Sequence, residues 1–424
     1  MTETNRREFL AVGAAGAAAI LSPAGVHANA PDVIKIGVIG CGGRGTGAAL
    51  NTLEGNPNVQ ISAVGDVFAH RTNTCINSIK KSKYADRLTV TPETTYVGLD
   101  AFQKVIDSGV QMVILASPPG FRPTHLEAAV KKGLNIFTEK PVATDVAGIQ
   151  KVMGLVEESK KKGLAIVAGT QRRHQKGYLQ TIAKLQNDKA IGDILAARVY
   201  WNNTNSIWFR KREEGMSDVA YQLHNWYHFC WLCGDHIVEQ HVHNLDVANW
   251  VLGAHPIRCS GMGGRVRPCT DPNVDGHIFD HFAVEYEYPN GVIVQSYCKQ
   301  IDNCSPGNVS ESFLGTKGNA KMWDGGWEIN GAEAVPGIGK ETPYVQEHID
   351  LVESIKSGKP LNELLTVAES TLTAIMGRMS TYTGKPLTWE QALKSKESLV
   401  PTGLTFDGKL EAYSVPVPGK TKLI

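Results

Sequence analysis

Residues 33–39 form a β-branched run that leads directly into Gly40-Cys41-Gly42-Gly43-Arg44-Gly45. No other stretch constrains the fold as tightly. A strand that is apolar on both faces belongs in a sheet covered on both sides, as parallel sheets are. The G-x-G-x-x-G spacing between such a strand and a helix has a mechanical meaning. Gly40 permits the tight turn, Gly42 lets a ligand approach the backbone, and Gly45 lets helix and strand pack closely. The helix N-terminus then presents unpaired N–H groups to a pyrophosphate. The competing reading is a glycine-rich turn in an unrelated α/β fold.

Further apolar runs follow at 59–64, 111–116, 134–138 and 164–168, with helical stretches such as 124–132 and 146–162 between them. This alternation predicts an α/β chain with an N-terminal Rossmann domain, a doubly wound parallel sheet over 31–163. Asp66 ends the second run, where an acid binds the adenosine ribose hydroxyls. A carboxylate there favours NAD over NADP; Arg71, close by, leaves NADP open. After Gly192 the pattern changes. Strand-like segments at 194–200, 282–288 and 292–297, with the hairpin turn Pro289-Asn290-Gly291, surround a helical stretch at 221–252. They predict an α+β domain over 164–424 with a large, open, mostly antiparallel sheet. Helices at 348–355 and 367–381 lead into a C-terminal segment that packs back on the body. The broad face of such a sheet predicts a homo-oligomer, a dimer or tetramer.

The formal net charge of +1 and the scattered aromatics give no field for nucleic acid. Near the N-terminus, Arg6-Arg7 precedes Phe9-Leu10, a weakly apolar run at 11–26, and Ala28-Asn29-Ala30. This pattern predicts a twin-arginine export signal over 1–30 and a periplasmic protein. A membrane anchor is the alternative, but the run is short and rich in Gly and Ala, so no stable membrane insertion is expected. The chain has 8 cysteines. Cys230 and Cys233 have redox or zinc-ligand spacing, yet no second pair accompanies them, and they read as buried helical cysteines.

Thr138-Glu139-Lys140-Pro141 falls at the carboxyl end of a predicted parallel strand, the edge where open α/β sheets bind ligands. Together with the glycine pattern it resembles the Gfo/Idh/MocA oxidoreductases, the family of glucose-fructose oxidoreductase and inositol dehydrogenase. The resemblance continues through Ala116-Ser117-Pro118, His125, Ile191-Gly192-Asp193-Ile194 and Thr383-Gly384-Lys385-Pro386. It implies that Gly43 and Arg44 lie near the pyrophosphate and Asp66 on the ribose. It also implies that Ser117, Pro118 and His125 line the cofactor. Glu139 and Lys140 would flank the nicotinamide, and Gln171 would follow the next strand.

Many members of that family carry an Asp and a His four apart. Here the matching stretch holds Glu239 and His243, which share a face if the helix is continuous, with Asp235 extending it. Catalytic roles are expected for Lys140, His243 and Glu239. Lys140 or His243 takes the proton of the hydroxyl being oxidised, and Glu239 orients His243 or stabilises its charged form. Glu in place of Asp adds a methylene, and His241 stands where a glycine is common. His224, His228, His236, His241, His243 and His255 crowd one region, but no signature spacing supports a metal, and none is expected. Trp201, Trp208 and Trp226 are candidates to stack on a sugar ring.

The resemblance implies an NAD(P)-dependent oxidoreductase acting on a hydroxyl of a sugar or sugar derivative. Outside the cytoplasm free NAD would not recycle, so export favours a tightly held cofactor. That suits coupled oxidation and reduction of two sugars, epimerisation, or glycoside cleavage through a transient keto-sugar. A secreted sugar-binding protein without catalysis is the remaining alternative; it predicts loss of the Lys140 and His243 equivalents.

Overall fold

The computed structural model describes residues 33–304, 306–337, 342–411 and 413–423; the leader read as an export signal lies outside them. The first sheet has six strands: β1 (Ile34–Ile39), β2 (Val59–Asp66), β3 (Thr95–Val97), β4 (Met112–Leu115), β5 (Asn135–Thr138) and β6 (Ile166–Ala168). Their spatial order is β3-β2-β1-β4-β5-β6 and every pairing is parallel. The helices α1 (Gly43–Gly55), α2 (Ala69–Lys80), α3 (Ala101–Asp107) and α4 (Arg122–Lys132) connect the strands. The predicted helix over 146–162 is two, α5 (Val146–Gly154) and α6 (Val156–Lys161). One sheet face packs Ile36, Val38, Ile61 and Ile114 into a fully buried cluster, as continuous β-branched strands require.

The boundary placed at Gly163 falls short. β6 pairs with β5 through Ile136 and Ile166, so the parallel sheet runs on to Ala168. The strand β3, Thr95–Val97, was not anticipated: its residues favour strands, but the run is only three residues long and follows a polar stretch.

The second sheet has nine strands in the order β14-β13-β12-β11-β7-β10-β9-β8-β15. Helix α7 (Lys176–Gln186) leads to its central strand β7 (Ile194–Asn203). Then come α8 (Asp218–His224), α9 (Cys230–Cys233), α10 (His236–Glu239), α11 (Val242–Leu252), β8 (Arg258–Gly264) and α12 (Pro272–Asp275). β9 (His281–Glu287) and β10 (Ile293–Gln300) form the hairpin predicted at Pro289-Asn290-Gly291. β11 (Asn308–Gly315), β12 (Gly318–Trp323), β13 (Gly326–Ile329) and β14 (Ala332–Glu333) complete one wing, and β15 (Leu387–Thr388) the other edge. β10 and β7 run parallel and the other pairs antiparallel.

The chain then crosses back. α13 (Pro343–Lys356) places Leu351 and Val352 in the core of the first sheet, and β6 bonds to the following turn (Ile166 N to Leu361 O, 2.7 Å). α14 (Leu364–Thr383) is buried along nearly its whole length beneath the second sheet and ends at Gly384, where φ is +69°. No described helix is long and apolar enough to cross a membrane.

Candidate active site

One cavity of about 630 Å³ opens along the carboxyl edge of the first sheet and is roofed by the second domain. Its wall includes Gly40, Gly42, Gly43, Arg44, Asp66, Ser117, Pro118, His125, Glu139, Lys140, Gln171, Glu239 and His243. Of the predicted site residues only Gly45 is absent from it, because Gly45 packs inward. A Cβ at Gly45 would collide with the Gly40 carbonyl oxygen, and one at Gly40, whose φ is +92°, with the Ser117 amide. A Cβ at Gly42 or Gly43 would meet no atom within 4 Å. That open space lies over the start of α1, whose Gly42 cap makes no side-chain bond. The turn therefore has the free amides and the clearance that a pyrophosphate needs.

Asp66 sits at the end of β2 with Oδ2 accepting from Cys41 N (2.7 Å) and Oδ1 from Phe68 N (2.9 Å). Burial raises its pKa, and these two amides pull the other way. Ser117 Oγ and His125 Nδ1 are 3.0 Å apart, and Phe102 stacks on the imidazole at 4.2 Å. Burial, then the Arg122 charge, pushes the His125 pKa down to about 3, so its ring is neutral.

Arg44 differs from expectation. Its guanidinium turns away from the turn to pair with Glu139 and with Glu347 (2.8 Å), and lies 5.1 Å from the Tyr344 ring. Both α13 residues reach the site because the chain crosses back. Burial works against the charged guanidinium, but the Glu139 and Glu347 carboxylates outweigh it and raise the pKa. Gln171, at the start of a 3₁₀ turn after β6, donates to Tyr344 Oη at 3.2 Å.

The predicted helix over 221–252 is broken into α8, α9, α10 and α11. Phe229 is extended, Gly234 and Asp235 both have positive φ, and a further break follows Glu239. Glu239 and His243 thus lie on separate helices, and Glu239 does not orient His243. Instead Lys140 Nζ donates to the Glu239 carbonyl at 2.7 Å and lies 3.3 Å from its Oε1, while Oε2 has no hydrogen-bond partner. Burial pushes the Glu239 carboxyl up to about 6, against the pull of Lys140. His243 stacks on Trp201 at 5.6 Å. Burial, followed by the Lys140, Arg172 and Arg44 charges, holds its pKa well below the usual histidine range. Asp235 does not extend this face: it caps α10 and bonds Tyr382 in the core.

The other histidines scatter. His228 bonds Trp208 O (2.8 Å), His236 the Tyr227 hydroxyl (3.1 Å) and His241 Ser296 Oγ (2.8 Å); His255 stacks on Trp389. Among the described residues no group of three or more His, Cys, Asp or Glu is placed to hold a metal. Cys230 and Cys233 are buried in α9 and, like the other cysteines, form no disulfide. Trp201, Trp208 and Trp226 all line the cavity.

Sequence reading missed Arg122, Glu347 and Tyr344. Arg122 is buried and donates to the carbonyls of Ser117, Glu139 (2.8 Å) and Pro141 (2.7 Å), tying together the two loops that carry the site. Its place just after β4, at the ligand-binding edge, was an available signal. Nothing local marks Glu347 or Tyr344.

A doubly wound sheet with an open glycine turn, joined to a sheet domain that roofs its carboxyl edge, defines a two-domain dinucleotide-binding protein. The chain belongs to the Gfo/Idh/MocA oxidoreductase family. Residues 34–168 match the "Oxidoreductase family, NAD-binding Rossmann fold", and residues 179–321 match the "GFO/IDH/MocA C-terminal domain". The chain is 22% identical over 230 residues to scyllo-inositol 2-dehydrogenase (NAD(+)) of Bacillus subtilis, spanning 54% of this chain and only 57% of that enzyme. It is 25% identical over 293 residues to the inositol 2-dehydrogenase/D-chiro-inositol 3-dehydrogenase of Shouchella clausii, spanning 69% and 72%. In fold it resembles the aldose-aldose oxidoreductase of Caulobacter crescentus, with a TM-score of 0.64 at 18% identity over 84% of this chain and 99% of that one.

Proposed function

We propose that the protein is an NAD-dependent oxidoreductase acting on a hydroxyl of an uncharged sugar or cyclic polyol, with its cofactor held between turnovers. The observation that carries this is the convergence of Lys140 from the first domain and His243 from the second on the cavity that contains the open glycine turn. Near Lys140 each cavity-lining cation among the described residues already has partners. Lys140 is paired with Glu239, Arg44 with Glu139 and Glu347, and Arg122 with three carbonyls. Among the described residues no unpaired cation is left there for a carboxylate or phosphate on the substrate, whereas hydroxyl groups suit the acceptors present. The Trp201 ring offers an apolar face to the C–H side of a sugar. The inositol dehydrogenases among the relatives are named for uncharged cyclic polyols.

NAD at the glycine turn supplies the hydride acceptor. The rest falls to the chain. His243, neutral, has a lone pair to take the hydroxyl proton as the C–H bond breaks. Lys140 has three donors and uses two on Glu239, so one remains to stabilise the oxyanion that becomes the carbonyl. Asp66, at the cavity wall, would hold the ribose hydroxyls.

Glu239 favours a second, redox-neutral reading. Its carboxyl, raised to about 6 with Oε2 unpartnered, suits a base for the α-proton of a transient ketone. Glu239 taking that proton would let a glycosidic group leave from the adjacent β-carbon; without that loss the carbonyl would be reduced again to the same sugar or its epimer, or a second sugar would be reduced in its place. The test is incubation of the protein with sugars, polyols and glycosides, with and without added NAD, following products and nicotinamide absorbance. Turnover without added NAD supports the retained cofactor. NADH release that requires supplied NAD removes retention and leaves an ordinary dehydrogenase. No nicotinamide reduction by any sugar or polyol overturns the function.

Two further parts of this reading rest on other residues. The Arg6-Arg7 leader supports periplasmic location; fractionation of cells making the full chain, against an Arg6→Lys, Arg7→Lys variant, tests it. Leu195, Leu314 and Met262, at 54%, 53% and 73% exposure on strands of the second sheet, support a homo-oligomer, which light scattering tests.

A further inference from the structure

The cavity end beside Asp66 is closed by more than the first domain. Trp208, Arg210, Leu223 and Trp226 of the second domain face Phe68 and Leu99 across it. Phe68, Leu99, Leu223 and Trp226 also belong to one apolar cluster with Leu404 and Leu410 of the C-terminal arm. The Phe68 ring meets His224 edge-on at 4.4 Å and Phe406 edge-on at 5.7 Å, and His70 stacks on His224 at 5.8 Å. Ser217 Oγ donates to the Phe406 carbonyl, which fixes the arm to the start of α8. The loop carrying Trp208 and Arg210 is pinned as well. Arg210 N donates to Asn225 Oδ1 (2.8 Å), Asn225 Nδ2 returns a bond to Arg210 O (3.1 Å), and His228 Nε2 bonds Trp208 O (2.8 Å).

In a lone Rossmann domain the end beside the acid after β2 is open on one side. Here the two domains touch at both ends of the cavity, through Lys140 and Glu239 at one and through Phe68, His224 and Phe406 at the other. A ligand lying along the glycine turn is enclosed between these contacts. Releasing it means parting an apolar cluster, which exposes that surface to water.

We propose that Trp208, Leu223 and Trp226 form the second half of the adenosine site, and that the C-terminal arm, through Phe406 on Phe68, clamps it so that NAD exchanges slowly. The inference rests on the NAD reading of the glycine turn. It supplies a physical basis for retention within this chain alone.

The test is cofactor release, measured without substrate. The full chain is loaded with NADH, freed of excess by gel filtration and chased with NAD, and the loss of bound nicotinamide fluorescence gives the rate. The parent should release NADH over minutes or longer. Phe406→Ala and Trp208→Ala should each speed release by about tenfold or more, the factor that about 1.4 kcal/mol of lost contact corresponds to. Phe406→Leu, which keeps the apolar contact, should stay close to the parent. Trp208 is 44% exposed, so its replacement leaves the core intact and the test does not hinge on Phe406. Release at the parent rate in both alanine variants, or parent exchange within a second, overturns the clamp. Failure of the parent to bind NADH at all overturns the cofactor reading and the clamp with it.

Discussion

Lys140 reaches across the domain boundary, its Nζ 2.7 Å from the carbonyl oxygen of Glu239 and 3.3 Å from Oε1 of the same residue. The lysine follows β5 of the first domain and the glutamate ends α10 of the second, so this pair both holds the domains and sets the charge of the site. Burial places the Glu239 carboxyl at about 6. As pH falls through that value Glu239 takes up a proton and Lys140 loses its counter-charge. Turnover should therefore show an acid limb near pH 6 that Glu239→Gln abolishes. The cavity histidines do not interfere, since His125 is pushed down to about 3 and His243 lies well below its ordinary value. Asp235, raised to about 7 by burial, is in the core, and Asp235→Asn is the control. A limb that persists in Glu239→Gln assigns the titration elsewhere.

Lys140→Ala and His243→Ala should each lower turnover by about two to four orders of magnitude, as expected for groups that move or stabilise a proton. Neither side chain is part of the glycine turn, so NADH binding, read by fluorescence titration, should survive in both. A variant that turns over at the parent rate removes that residue from proton transfer.

The first sheet was legible because burial on both faces writes continuous β-branched runs, and the glycine turn because its steric demands are local. The site itself was legible only in part. Lys140 and His243 carry local patterns, but the partner of Glu239 does not: four-residue spacing assigned it to His243, and the breaks around Gly234, Asp235 and Gln240 gave it to Lys140. The tie of Arg44 to Glu347 spans some three hundred residues and depends on α13 crossing back, which no window of sequence encodes. The domain boundary slipped because β6 is a three-residue strand whose membership is decided by its pairing with β5.

The glycines of the turn separate by function. Gly42→Ala places its methyl where no atom lies within 4 Å, so the unliganded protein should melt like the parent. The same methyl intrudes on the space over the start of α1, so NADH affinity should fall by about tenfold or more, or at least 1.4 kcal/mol. Gly45→Ala drives its Cβ into the Gly40 carbonyl and should destabilise the fold itself. Thermal melts with and without NADH distinguish the two. Equal affinity in Gly42→Ala and parent would place the pyrophosphate away from this turn.

Three consecutive basic residues after Gln171 pair with carboxylates on different elements. Arg172 meets Glu311 of β11 at 2.6 Å, Arg173 meets Asp246 of α11 at 2.9 Å, and His174 meets Asp350 of α13 at 2.6 Å. His174 Nε2 also lies 3.4 Å from Glu363. Burial acts to lower the His174 pKa, but the bond to Asp350 and the nearby Glu363 carboxylate prevail and raise it from 6.5 to about 10. Because the folded value exceeds the unfolded one, the proton on His174 stabilises the fold fully below pH 6.5, and that contribution is lost as pH rises through 10. His174→Gln should cost about 2–3 kcal/mol at pH 6, between exposed and fully buried ion pairs. The deficit should shrink steadily between pH 6.5 and 10. Urea unfolding of both proteins at pH 6, 8 and 10 measures it. A deficit that stays constant with pH would mean that His174 holds this turn by packing and not by charge.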